Sequence, residues 1–319
     1  MKILKELKLR AKNKDCVIVL PEANMDERVK NASLQILNEK LSKIIILGKA
    51  NEFPQELISH HDCQVIDIEN FAQLNDFTNQ LYELRKAKGM TMDEAGKLIL
   101  QPMYFAMMLV KNNMADGVVA GAKYSTADVL RPALQIIKTQ PDKKVVTGGM
   151  LMIKEKSEPL FFGDVSLIEN PTSDQLAEIA VANAEFMQKV LDIEPKVAML
   201  SYSTKGSAKH EMVDKVRLAV ELAQNKGFEI DGEMQADSAL DLATAKKKGI
   251  TSKVGGQANV LVFPDLNAGN IGYKLVSRLG GYDAIGPIML NFNNPINDLS
   301  RGCTVDEIVN TVVITKLLV

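Results

Sequence analysis

The sequence lacks several features that would define its chemistry directly. Its three cysteines, Cys16, Cys63 and Cys303, are widely spaced and odd in number, which argues against a disulfide framework and against a zinc cluster. Its three histidines, His60, His61 and His210, follow no motif that would set one beside a nucleophile. No apolar run approaches the ~20 residues of a membrane span. The opening MKILKELKLRAKNKD lacks the continuous apolar core of a signal peptide and reads as an amphipathic helix with Ile3, Leu4, Leu7 and Leu9 toward the protein. Neither charge sign is in excess: 38 basic and 40 acidic residues give a net charge of −2. That argues against general affinity for nucleic acid or anionic membrane, while leaving room for a local basic pocket. Neither G-x-x-x-x-G-K-[ST] nor a helix-opening G-x-G-x-x-G occurs, so the P-loop and the dinucleotide fingerprint are both absent. These absences suggest the cytoplasm as the compartment.

What is present is an alternation of short β-rich runs with longer helical patterns. At 319 residues the chain exceeds a typical single core, so two domains are expected. Strands are predicted at Val17–Leu20, Lys43–Leu47, Val65–Ile66, Gly117–Ala120, Val145–Thr147, Val197–Leu200 and Asn259–Val262. Helices are predicted at Asp26–Asn38, Ser125–Lys138, Ser173–Leu191, Lys209–Lys226 and Ala268–Leu279. This order implies right-handed βαβ crossovers and a mostly parallel α/β sheet covered on both faces, with ligands beyond the carboxyl ends of the strands. Polar stretches at Thr139–Lys144 and Asn291–Asn297 are the expected crossings. They give a discontinuous first α/β domain, residues 1–140 with 290–319, and a second of residues 141–289.

The segments after the strands carry the candidate chemistry. Gly121–Asp128 follows one strand and leads into a helix bearing Arg131; Ser125 or Thr126 before that helix reads as a cap or as part of an anion site. Ser201–Lys209 combines hydroxyls, a glycine and two lysines, a set that suits a phosphate. In Phe263–Lys274, Asp265 and Asn267 can cap a helix. Gly269 and Gly272 weaken its start by roughly 1 kcal/mol each, a cost explained by close approach of a backbone or a ligand. Near the C-terminus, Thr304 and Glu307 match a capping box, and Arg301 just before it reads as a rim charge or an anion ligand. Cys303 reads as structural, because a catalytic cysteine needs a base beside it.

Taken together, the stretches LPEANMDERVKNA, ADGVVAGAKYSTADVLRPALQIIKT, SYSTKGSAKHEMVDKVRLA, DGEMQADSAL, NVLVFPDLNAGNIGYKLVSRLGGYDAIGPI and PINDLSRGCTVDEIV resemble the phosphate acetyl/butyryltransferase family. They lie in the family's order over nearly the whole chain, and in detail they are more similar to its acetyl-transferring branch and its short form. The resemblance implies two α/β domains with a cleft between them, of the isocitrate/isopropylmalate dehydrogenase type, and a homodimer. It implies reversible acetyl transfer between acetyl phosphate and coenzyme A by direct thiolate attack, with coenzyme A as substrate and no bound cofactor or metal. The same chemistry on a propionyl or butyryl group, or a non-catalytic member of the fold, are the alternatives. Matching the family's motifs, Ser300, Arg301 and Glu307 are the catalytic candidates. Arg28, Arg85 and Arg131, with Ser125, Thr126, Ser203, Thr204, Lys205, Gly206, Ser207 and Asn270, are the substrate-binding ones. One departure concerns the base: the family usually reads Glu-Asp where this chain has Asp306-Glu307, so Glu307 stands in the base position and Asp306 beside it. Another is Lys123-Tyr124, where small or imidazole side chains are commoner.

Overall fold

The computed structural model describes residues 2–319. In chain order its elements are α1 (Lys2–Lys12), β1 (Val17–Leu20), α2 (Glu27–Asn38), β2 (Lys43–Leu47), α3 (Gln55–Ile58), β3 (Cys63–Ile66), α4 (Leu74–Arg85), α5 (Met92–Ile99), α6 (Pro102–Lys111), β4 (Gly117–Ala120) and α7 (Thr126–Pro132). There follow β5 (Thr147–Ile153), β6 (Leu160–Gly163), α8 (Ser173–Leu191), β7 (Lys196–Leu200), α9 (Glu211–Ala223), β8 (Glu229–Met234), α10 (Ala236–Leu240), α11 (Leu242–Lys247), β9 (Val260–Val262), α12 (Leu266–Gly280) and β10 (Asp283–Leu290). The chain closes with β11 (Ile296–Asp298) and α13 (Val305–Leu318). Two compact units result, Lys2–Thr139 with Phe292–Val319, and Gln140–Asn291.

The discontinuous unit is built on a five-stranded sheet in the order β11-β4-β1-β2-β3, parallel throughout. Its central strands are short runs of Val, Ile and Leu with every interior position buried, as a sheet covered on both faces requires. Helices α2 and α13 pack on these strands, and α1 packs on α13. Within α1, Leu7 and Ala11 are buried but Leu9 is 64% exposed, which corrects the expectation for that residue. At about 100° per residue, Leu9 points roughly 200° from Leu7. Beyond α7 the helix widens into a π-turn over Ala133–Ile137, where Pro132 removes a backbone donor and its ring excludes the usual hydrogen bond.

The continuous unit holds a six-stranded sheet in the order β10-β5-β6-β9-β7-β8. Strands β6, β9, β7 and β8 are parallel, whereas β5 pairs antiparallel with both β6 and β10. Helix α8 begins with a Thr172–Gln175 capping box and is buried along most of its length. The core joins Met150, Met152 and Phe162 of the sheet to Ala239, Ala245 and Val254 of the α10–α11 region.

Candidate active site

In the discontinuous unit, the strand order reverses direction between β1 and β4. The chain leaves β1 toward β2 and β3, then returns to place β4 and β11 on the other side. Such a switch point opens a crevice at the carboxyl ends of the strands. Three segments emerge there from adjacent strands: Pro21–Arg28 after β1, Gly121–Ser125 after β4, and Leu299–Thr304 after β11.

Two charged side chains tie these segments together. Glu22 is fully buried, and its carboxylate accepts four successive amides. The N–H groups of Gly121 and Ala122 bond one oxygen at 2.7 and 3.0 Å, and those of Lys123 and Tyr124 bond the other at 2.7 and 3.0 Å. The nest of amides read from the sequence as an anion site is thus filled by a carboxylate of the protein itself. Gly121 is needed for this path: its φ is +114°, and a Cβ there would sit 2.3 Å from Asp298 Oδ1 and 2.7 Å from the Leu299 backbone.

Arg28 is the second tie. Its Nε and Nη2 donate to the two oxygens of Asp26 at 3.0 and 2.7 Å. Nη1 donates to the carbonyls of Arg301 and Cys303 at 2.9 and 2.7 Å, and Nη2 also to the Ala122 carbonyl at 3.1 Å. A guanidinium has five N–H donors in a fixed fork, and all five meet protein acceptors here. The Arg28 hydrogen bonds hold the Asp26 carboxyl below its usual range against the opposing effect of burial, and Asp26 in turn raises the Arg28 guanidinium. Asp26 also caps α2.

The segment clamped by Arg28 presents Ser300 and Arg301, both exposed. Ser300 Oγ accepts the Gly302 amide at 3.3 Å. Cys303 beneath them is buried, and burial pushes its thiol up to about 11, a rise that the neighbouring Arg28 only moderates. A thiol so poised is protonated at neutral pH and is no nucleophile, in keeping with the structural role expected for it. The capping box forms as expected: the Thr304 amide donates to Glu307 Oε2 at 2.7 Å, and the Glu307 amide to Thr304 Oγ1 at 3.2 Å. Asp306 is exposed, with Gln35 Nε2 3.5 Å from its carboxylate.

Across from this segment, Ser125 caps α7 and donates to Asp128 at 2.6 Å. Thr126 donates instead to Asp298 Oδ2 at 2.6 Å. Asp298 is 2% exposed, and its Oδ1 has no hydrogen-bond partner among the described residues. Burial raises its carboxyl to about 6, the Thr126 hydroxyl opposing this and the charge of Glu22 adding to it. The sequence reading gave no role to Glu22, Asp26 or Asp298. The signal available for Glu22 was an acid two residues past the strand end at Leu20, inside PEANMDER; Asp26 and Asp298 carried no such signal.

Arg85 and Arg131 belong to a second grouping. Both bring positive charge to the buried Tyr104, whose phenol burial raises and the two arginines lower. Tyr104 also donates to Gln135 at 3.1 Å. Arg85 Nε is buried without a hydrogen-bond partner among the described residues. The arginine lines a cavity of about 470 Å³ with Lys88, Gly89, Met90, Glu94 and Lys97.

The remaining candidates lie in the continuous unit. Glu233 there plays the part that Glu22 plays in the other unit: its carboxylate accepts Ser203 Oγ at 2.9 Å and the Gly206 amide at 2.7 Å. Ser207 Oγ accepts the Thr204 amide at 2.9 Å. Lys205 Nζ is bound to Asp231 and, at 2.9 Å, to the Gly232 carbonyl. Asn270 donates to the Val165 carbonyl at 3.1 Å, fastening α12 to the turn after β6. Gly269 beside it has the close contact expected, since a Cβ would lie 2.4 Å from the Asp164 carbonyl. Asp265 caps α12, accepting the Ala268 amide at 2.9 Å.

An α/β architecture with charged, preorganised segments at a parallel-sheet switch point is suited to binding and transferring an anionic group. The model of the phosphate acetyl/butaryl transferase family matches residues 2–316, and the chain belongs to that family. A phosphate acetyltransferase of Clostridium acetobutylicum is 45% identical over 309 residues, 93% of this chain and 92% of that protein. The crystal structure of a phosphotransacetylase from Streptococcus pyogenes is 44% identical and superposes with a TM-score of 0.94, covering 99% of this chain and 98% of that one. A protein of Salmonella typhimurium, assigned as a candidate 4-hydroxythreonine-4-phosphate dehydrogenase, shares the fold alone. It is 14% identical with a TM-score of 0.56, over 96% of this chain and 99% of its own.

Proposed function

We propose that this protein is a phosphate acetyltransferase, moving an acetyl group reversibly between phosphate and coenzyme A. The observation that carries the reading is the exposed Ser300-Arg301 pair at the switch point, its segment held by Arg28. An acyl phosphate is already activated, so orientation and charge control are the main tasks. A thiol with an ordinary pKa of about 8.5 is mostly protonated near neutrality. Glu307 takes that proton in this scheme, a form of help worth roughly 10²–10⁴-fold. The sulfur forms its bond to the acetyl carbon, the bond from that carbon to the bridging oxygen breaks, and phosphate leaves with that oxygen and the electron pair. Arg301 and Ser300 stabilise the developing negative charge on the acyl oxygen and the departing phosphate. Direct transfer needs no covalent acyl-enzyme and no resident cofactor.

Arg85 and Arg131 are proposed to bind substrate phosphates, supported by the Arg85 Nε left without a partner. Arg28, with its donors engaged, serves by fixing the catalytic segment. Ser125 and Thr126 offer hydroxyls on the first anion segment. Ser203, Thr204, Lys205, Gly206 and Ser207 form a preorganised turn already closed on Glu233 and Asp231, so the exposed Lys205 meets a phosphate in this reading by exchanging Asp231 for it. Asn270 acts in this reading through the placement of α12. A homodimer is supported by α12 itself, where Ile271, Leu275 and Leu279 form a stripe 56%, 52% and 82% exposed and only Gly269 is buried. Cytoplasmic residence is supported by three free cysteines. Among the described residues no helix is long and apolar enough to cross a membrane. The test is thioester formation from coenzyme A with acetyl, propionyl and butyryl phosphate. Highest kcat/KM with acetyl phosphate is expected; preference for a longer chain contradicts the acetyl assignment, and no thioester from any of the three contradicts the reaction class.

A further inference from the structure

We infer that Asp298 is a positioning residue for phosphate binding: when protonated it donates to Thr126 Oγ1 and leaves the Thr126 hydroxyl proton free for a phosphate oxygen. When ionised it takes the Thr126 proton back as a hydrogen bond and withdraws that donor. The inference rests on the acyl-phosphate reading of the site and adds to it a switch that none of the proposed catalytic groups supplies.

The geometry is that of a two-sided link. Thr126 is exposed, while its hydroxyl lies 2.6 Å from the buried Asp298 Oδ2. A hydroxyl has one proton to donate and two lone pairs to accept with, so the state of the carboxyl decides which way the proton turns. The other oxygen, Oδ1, is buried and without a partner, and an unpartnered buried carboxylate oxygen is costly when charged. The backbone of Gly121 packs close against it, since a Cβ at that position would lie 2.3 Å from Oδ1. From β1's segment, Glu22 faces it with a like charge. From α7 comes the Thr126 hydroxyl, from β4 the backbone of Ala120 and Gly121, and next along its own chain the Leu299 amide, which donates to Ala120 at 2.7 Å. Burial raises the carboxyl, the Thr126 bond opposes it, Glu22 adds to it and the Leu299 amide lowers it, which together put it at about 6, so the two states exchange near pH 6.

Below about pH 6 the carboxyl is protonated and the Thr126 donor is free; as pH rises through 6 the donor is lost. Sulfate is a suitable probe because it stays a dianion from pH 5 to 8. Its binding should weaken about tenfold across that range beyond any general charge effect, the value of one hydrogen bond to a charged group. In Asp298→Asn the side-chain amide donates to Thr126 at every pH, so this component should vanish with binding kept at the low-pH level. In Thr126→Val it should vanish with binding kept at the weak, high-pH level. KM for acetyl phosphate should follow the same pattern, with kcat much less affected. The inference is overturned if Asp298→Asn keeps the wild-type slope, or if Thr126→Val binds sulfate as tightly at pH 5 as the wild type. Should Asp298→Asn fail to fold, Thr126→Val against Thr126→Ser decides, since only serine retains the switch. Thioester formation by the wild type separates the two readings: activity without the pH component rejects the role of Asp298 alone, whereas no thioester at any pH rejects the acyl-transfer reading.

Discussion

Replacing Glu22 by glutamine tests whether the first anion segment is held by an internal carboxylate. The wild-type carboxylate satisfies four amides, two on each oxygen. Glutamine retains one acceptor oxygen and turns an NH2 group toward the other two amides. The lower-cost orientation keeps the oxygen on the buried Gly121 and Ala122 pair and leaves Lys123 and Tyr124, where water gains access more easily. Two orphaned donors at about 1–3 kcal/mol each, taken toward the lower end for that access, give a loss of roughly 2–4 kcal/mol. This is a large share of a typical folding stability of about 5–15 kcal/mol. With two structural units, a single global unfolding free energy is not well defined, so hydrogen exchange resolved to the 117–128 region is the better assay. The Gly121–Tyr124 amides should exchange at least about 30-fold faster, the equivalent of 2 kcal/mol, while β2 and β3 keep their protection. Unchanged protection at Gly121–Tyr124 would show that Glu22 does not hold this segment.

Further outcomes follow from the same contacts. Arg28→Lys replaces five donors by three and cannot hold Asp26, Ala122, Arg301 and Cys303 together, so kcat should fall by about 10²-fold, as for a small misplacement of catalytic groups; turnover at the wild-type level in steady-state assays argues against the clamp. Glu307→Gln should lose roughly 10²–10⁴-fold in kcat while Asp306→Asn loses little; if steady-state rates show the reverse, Asp306 is the base. Leu275→Asp places a charge in the middle of the exposed α12 stripe and should convert a dimer to a monomer by light scattering, whereas an unchanged mass removes that face from the interface.

Much of this architecture was legible in the sequence. Strands β1, β2 and β4 are runs of β-branched residues bounded by turn residues, and α8 has a capping box at one end and a continuous helical pattern, so their limits were read correctly. Strands β6, β8, β10 and β11 were not read. β10 carries Gly286-Pro287, a pair normally excluded from strand interiors and tolerated here opposite β5 with a shift of register. β8 is EIDGEM, too polar for the pattern of a buried strand, and β6 and β11 are four and three residues long. The antiparallel half of the second sheet was lost with them, along with the extension of β5 through Gly148 and Gly149. At the site, the caps at Ser125, Asp265 and Thr304 and the close approach at Gly269 are local and were readable. That Glu22 occupies amides some 100 positions away, that Glu233 does the same for Gly206, and that Arg28 holds carbonyls 273 and 275 residues on are long-range facts. Periodicity and spacing contain no trace of such contacts, so segments that looked like open anion sites proved to be internally satisfied.

In the proposed reaction the exposed Arg301, fixed by Arg28, carries acyl transfer without a cysteine nucleophile. The most direct measurement is the rise in thioester absorbance from coenzyme A and acetyl phosphate with the wild type, Arg301→Gln and Cys303→Ala side by side. Rapid thioester formation by the wild type is expected, with a loss of about 10²–10³-fold in Arg301→Gln and turnover largely kept in Cys303→Ala. Full turnover in Arg301→Gln, or its collapse in a folded Cys303→Ala, would contradict the proposed reaction.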